Sequence, residues 1–159
     1  MTTETIGTTG RNYPDIASWE ATFPATLTTP MVGECYNDSP FTAGVTFAGF
    51  TPSSTNTVTL TAAAGQSFVD NASVQSNALK WNSSNGVSIS SATDAGIIKA
   101  GFGMSYIRVT RLQVKCTEDG YASNAISLSG AGSYFDKCIL ESKPGGGGSN
   151  IRAVAFLDT

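Results

Sequence analysis

Moved along itself by twenty-eight positions, the stretch "MSYIRVTRLQVKCTEDGYASNAISLSG", residues 104–130, falls without a gap on "GSYFDKCILESKPGGGGSNIRAVAFLD". Tyr106 lands on Tyr134, Ile107 on Phe135, Leu112 on Leu140, Lys115 on Lys143 and Gly120 on Gly148. A second series runs Ile98, Ile126, Val154, and two residues further on Ala100, Leu128, Phe156. Apolar positions persist while surface identities drift, as expected of stacked units that cannot bury an apolar face alone. Each unit holds three short alternating runs, near Ile126 and Leu128, near Tyr134, and near Leu140 and Ser142, separated by Gly, Ser or Asn.

Three short strands per repeat predict an all-β fold, a right-handed parallel β-helix of about 25–29 residues per coil. Each strand pairs with its counterpart one coil away, so layers lie about 4.8 Å apart and like positions form columns. At a spacing of twenty-eight, Arg108 is expected over Asp136. Upstream, Val58 and Leu60, then Val87 and Ile89, then Leu112 and Val114, then Leu140 are expected in one column, with "GQSFVDNASVQSNALKW" as a longer excursion. "KPGGGGSN", residues 143–150, occupies the slot of "TEDG" one repeat earlier. It is therefore expected to be a corner inside the solenoid, where glycines adopt left-handed angles, and not a linker.

The front end differs. "NYPDIASWEATFP" places Ile16, Trp19, Glu20 and Phe23 at helical spacing, with Pro14 suited to the first helical position and Pro24 ending the run. This predicts a short amphipathic helix covering the N-terminal end of the solenoid. The whole chain, 1–159, is expected to be a single domain, with residues 1–30 as arm and cap and 31–159 as coils whose C-terminal end is uncapped.

The chain's charged fraction of 13%, its net charge of −3 and its pI near 4.7 provide no basic surface for phosphate backbones, so nucleic acid is not an expected partner. No apolar run reaches the length of a membrane span, and the opening residues lack the pattern of a signal peptide. The three cysteines, Cys35, Cys116 and Cys138, are expected to be small buried hydrophobes. The absence of histidine removes the usual general base and the commonest transition-metal ligand; no metal or cofactor is expected.

Taken together, "RNYPDIASWEAT", "GECYND" and "YIRVTRLQVK" resemble the pectin-lyase-like β-helix proteins, and within them β-helix proteins of tailed-phage virions. The resemblance implies the fold more than a function, because this fold hosts lyases, hydrolases, tail spikes and structural subunits. For a lyase it implies an Arg or Lys base, for which Arg108, Arg111 and Lys137 are available, and clustered Asp for calcium, for which only Asp136 stands near. Paired carboxylates for glycoside hydrolysis are not expected: a repeat away from Asp136 is Arg108, and from Glu141, Gln113. Asn37 and Asp38 in "CYNDSPF" and Glu118 and Asp119 in "TEDG" read as turn residues. Phe47, Phe50 and Phe102 are expected in core or inter-loop packing.

The expected function is that of a non-catalytic virion protein, a capsid decoration, head spike or tail component located in the virion or outside the cell. Its expected partners are copies of itself and other virion proteins, with a surface glycan as a further candidate. The alternatives are the N-terminal part of a polysaccharide depolymerase and a glycan-binding module. For glycan or partner contacts the candidates are Tyr106, Tyr121 and Tyr134 as stacking platforms, with Trp19 if its ring is exposed.

Overall fold

In strand β4, Val58–Ala62, Val58, Leu60 and Ala62 turn inward and are buried while Thr59 and Thr61 turn outward. The same alternation governs β7, Ile107–Thr110, where Ile107 and Val109 are buried beneath Arg108 and Thr110. Strands buried on one face and wet on the other must stack to cover that face, and here they do so in parallel. The computed structural model describes residues 1–38, 40–70, 80–92, 96–117, 125–128 and 130–142, which form a parallel β-solenoid of about 4 turns with one short α-helix.

Three sheets run along the solenoid. The first joins β1 (Thr2–Ile6), β2 (Met31–Cys35), β4, β7 and β10 (Tyr134–Asp136) in that order. The second joins β5 (Ser88–Ser91), β8 (Gln113–Cys116) and β11 (Ile139–Ser142), and a bridge from Phe41 to Ile89 adds a rung. The third joins β3 (Val45–Phe47), β6 (Ile98–Ala100) and β9 (Ile126–Ser127). Inward residues form ladders, of which Gly33, Leu60, Val109 and Phe135 are one and Ile89, Val114 and Leu140 another. A fully buried Leu60 or Ile89 contributes about 1.5–3 kcal/mol by leaving water.

Helix α1, Ile16–Glu20, packs against β3 and β1 at the N-terminal end. Its N-cap is Asp15, whose carboxylate accepts from Ser18 N at 2.7 Å and from Ser18 Oγ at 2.9 Å. Pro14 therefore precedes the cap instead of opening the helix, because the aspartate side chain satisfies the free N–H that a proline would merely lack. Trp19 is fully buried, edge-on to Phe23 at 4.8 Å and to Phe47 at 6.3 Å between ring centroids. Phe50 closes this aromatic group against both Phe23 and Phe47.

The spacing of twenty-eight holds in the third sheet, where Ile98 pairs with Ile126, and fails in the other two. Tyr134 pairs with Arg108, Asp136 with Thr110, and Leu140 with Val114, a spacing of twenty-six. Arg108 is thus not over Asp136, and Glu141 faces Lys115 and not Gln113. The cause is a corner: ten residues separate Ile98 from Arg108, but eight separate their partners Ile126 and Tyr134. The surplus is accommodated in the turn Gly101–Gly103, closed by Met104 N donating to Gly101 O, with Phe102 at its tip in solvent. Phe47 and Phe50 are buried as expected; Phe102, on the longer corner, is not.

The upstream column also divides. Leu60 belongs to the first sheet and pairs with Val109, whereas Ile89 belongs to the second and pairs with Val114. The coil that begins at β4 is long: Val58 meets Ile107 forty-nine residues on, against twenty-nine from Thr2 to Met31 and twenty-seven from Met31 to Val58. The glycine corner at 143–150, the segment after it and Tyr121 lie outside the described residues.

Candidate functional site

The described extra residues of the long coil lie at the corner between the first and second sheets. There, Asn37, Gly65, Gln66, Ser67, Asp70, Ser84, Asn85 and Gly86 line a cleft of about 330 Å3. One wall is the segment from Gly65 through the 3-10 turn Phe68–Asp70. The Asp70 carboxylate folds this wall onto itself, accepting from Gly65 N at 3.0 Å and Ser67 N at 3.3 Å. Arg111, at the corner of the next coil, donates to both oxygens of Asp70 through Nη2, at 2.5 and 2.6 Å. These hydrogen bonds from Arg111, with the two backbone N–H groups, hold the Asp70 carboxyl below its ordinary range. Ser67 Oγ donates to Arg111 O at 2.8 Å, a second tie between the same two segments.

The opposite wall, around Ser84 to Gly86, is held from beneath by Gln113, a fully buried amide on β8. Its Oε1 accepts from Asn82 N at 2.8 Å, and its Nε2 donates to Asn82 O at 2.9 Å and Gly86 O at 3.4 Å. Each half of the amide is used, as a buried carboxamide requires. Gln66 binds the walls together: its backbone O accepts from Val87 N at 2.9 Å, and its Oε1 accepts from Asn37 N at 3.1 Å. Gly86 has φ of 123° and passes close to the backbone of Gln66–Phe68, a position only glycine fills without strain.

A second corner pair joins the first two coils. Arg11 donates to Asp38 through Nε and Nη2, each at 3.0 Å, and its guanidinium lies 3.6 Å from the Tyr36 ring centroid. The fork lowers the Asp38 pKa and raises that of Arg11, the hydrogen bonds between them being the main cause in both. Of the two residues that looked like simple turn residues, Asn37 lines the cleft and Asp38 anchors the first loop. The excursion itself stood out by its length, but nothing in "GQSF" or "NSSNG" announces that the two segments face each other.

The outer face of the first sheet holds the tyrosines. Tyr134 is exposed, and the Arg108 guanidinium lies 5.4 Å from its ring centroid. Tyr106 is half-buried, with φ of 57° at the end of the corner, and its ring covers Gly132. The two rings do not share a column, because Tyr134 takes the place opposite Arg108. Trp19 has no face available, being enclosed in the cap. The charged groups named for chemistry are likewise distributed: Arg111 is committed to Asp70, Lys115 to Glu141 at 2.6 Å, and Lys137 is exposed on a left-handed corner.

Cys35, Cys116 and Cys138 are buried and reduced, with no disulfide between them. Burial pushes the Cys138 thiol up to about 11 and that of Cys35 further. Among the described residues no three His, Cys, Asp or Glu side chains stand close enough to hold a metal ion, and no helix is long and apolar enough to cross a membrane. Comparison of the chain with protein-family models, curated proteins and solved structures found no match.

Proposed function

We propose that this chain is a non-catalytic structural protein, a virion component such as a capsid decoration, head spike or tail part, that acts by assembling with copies of itself and with other virion proteins. The observation that supports this reading is the use made of the charged side chains. Asp38, Asp70 and Glu141 are each bound to a cation on a different segment; Asp15 caps the helix, and Glu20 accepts from Ala48 N at 3.1 Å across a coil. Asp38 and Asp70, whose arginine partners hold their pKa values below the ordinary range, are ties, whereas proton transfer in catalysis needs an acid or base with a pKa near the working pH. Parallel ladders over one continuous core make a stiff rod whose surface, and not a reactive centre, is what it offers.

Sedimentation velocity at micromolar concentration, with native mass spectrometry, tests the assembly. The expected result is one closed homo-oligomer, cyclic symmetry being the commonest form. A monomer at every concentration, with no co-purification with virus particles, overturns the proposal, as does turnover of a polysaccharide by the purified chain.

A further inference from the structure

We infer that the cleft between the Gly65–Asp70 wall and the Ser84–Gly86 wall is a binding site for a neutral, polyhydroxylated molecule of about one sugar ring, a ligand function separate from the scaffold role. The ladders do not need the residues that build it: the neighbouring strand pairs of the first sheet are joined by coils of twenty-six to twenty-nine residues, and this one takes forty-nine. Its described part nevertheless forms two ordered walls: Asp70 ties one onto itself by two hydrogen bonds, Gln113 holds the other to β8 by two more, and Val87 N donating to Gln66 O joins the two. A cavity whose sides are already ordered loses little entropy on taking a ligand.

The lining decides what that ligand is. Asn37, Gln66 and Asn85 supply carboxamides, which donate and accept, and Ser84 a hydroxyl, which does both. The one charged group among the described lining residues is Asp70, and its charge is met by Arg111. An anionic ligand would find a cation already taken, and a cationic one a carboxylate already bridged. Among the described residues no aromatic or aliphatic side chain lines the space, so they offer an apolar ligand little. A ring of hydroxyls, each able to donate and accept, matches this inventory. The volume of about 330 Å3 is at the small end of the range for ligand pockets, about 300–1,000 Å3.

Titration of the full chain, isotope-labelled, with glucose, galactose and N-acetylglucosamine, and with glucuronate and glucose 6-phosphate as charged counterparts, tests the site by amide chemical shifts. At least one neutral sugar is expected to move the resonances of Gly65, Gln66 and Asn85 at millimolar concentration, with the charged sugars weaker. Asn85→Ala and Ser84→Ala are each expected to weaken binding about tenfold, the loss of a hydrogen bond or two. Ser84 is exposed on the rim, so its variant folds. Tyr134→Ala, on the other face, is expected to leave binding unchanged. Testing the same sugar free and at the end of an oligosaccharide distinguishes a metabolite from a glycan. The inference is overturned if none of the three neutral sugars shifts these amides, if the charged sugars bind tighter, or if Tyr134→Ala abolishes binding that Asn85→Ala retains. Because binding is read in the oligomer or the monomer alike, its failure leaves the assembly reading standing.

Discussion

Arg111 Nη2 lies within 2.6 Å of both carboxylate oxygens of Asp70, joining the corner of one coil to the long loop of the coil before it. The hydrogen bonds from Arg111 keep the Asp70 carboxyl ionised to lower pH than in an unfolded chain, and Arg11 does the same for Asp38. An acid whose folded pKa is depressed adds stability that is complete above its unfolded pKa, about 3.9, and is lost as pH falls through the lower folded value. Thermal melting followed from pH 7 downward should therefore be flat to about pH 4 and then fall. Asp70→Asn should lower the melting temperature at pH 7 and show a shallower acid fall. Both pairs are solvent-exposed, so a raised salt concentration should shrink the difference. Equal acid slopes in the two proteins would remove the pair from the account.

Gly33 faces the cap in a way no other residue type could. A Cβ at that position would come within 2.8 Å of Ile6 Cδ1 and of the Trp19 ring. Gly33→Ala should destabilise by about 1–3 kcal/mol, the cost of overpacking a closed core. Trimming the ring with Trp19→Phe should recover part of this in the double variant, a coupling of about 1 kcal/mol between touching residues. Urea unfolding of the four proteins measures it, and strict additivity would mean that the cap does not press on β2.

The thiol of Cys138 carries a pH dependence of opposite sign. Burial raises its pKa to about 11, so the folded chain keeps a proton that the unfolded chain releases near 8.5. Its contribution is whole below about pH 8.5 and lost as pH rises towards the folded value. Cys138→Ala should flatten the alkaline decline in melting temperature. Reaction of all three native thiols with a disulfide reagent at pH 8 should be about a hundredfold slower than in urea, since the thiolate is the reactive form and all three are buried.

What the sequence made legible follows from how local each signal is. The strands were readable because alternation such as Val58, Thr59, Leu60, Thr61 needs no partner to be recognised. The cap was readable because Ile16 and Trp19 fall on one helical face. Columns were harder, since they depend on what each corner adds. The repeated Ser-Tyr of Ser105–Tyr106 and Ser133–Tyr134 suggested a common register, yet Tyr106 lies over Gly132 because the preceding corner is longer. The cleft was not legible at all: Asn37, Gln66 and Asn85 are ordinary loop residues in sequence, and only the coil's path places them around one space.

The corner account makes its own prediction. Between Ile98 and Arg108 there are two residues more than between Ile126 and Tyr134, and Phe102 and Gly103 occupy the tip of that corner in open solvent. If the surplus is only a bulge, Phe102→Ser should change stability by less than about 0.5 kcal/mol, as for any exposed side chain without partners. Removing Phe102 and Gly103 together should leave a corner of the length used one coil later, with the β6–β9 and β7–β10 pairings intact. Circular dichroism should keep its strand signal, and hydrogen exchange should keep β7 amides protected as in the parent. Loss of β7 protection would mean that the turn Gly101–Met104 positions the strand that follows it, and that the two-residue difference is built into the stack and not displaced from it.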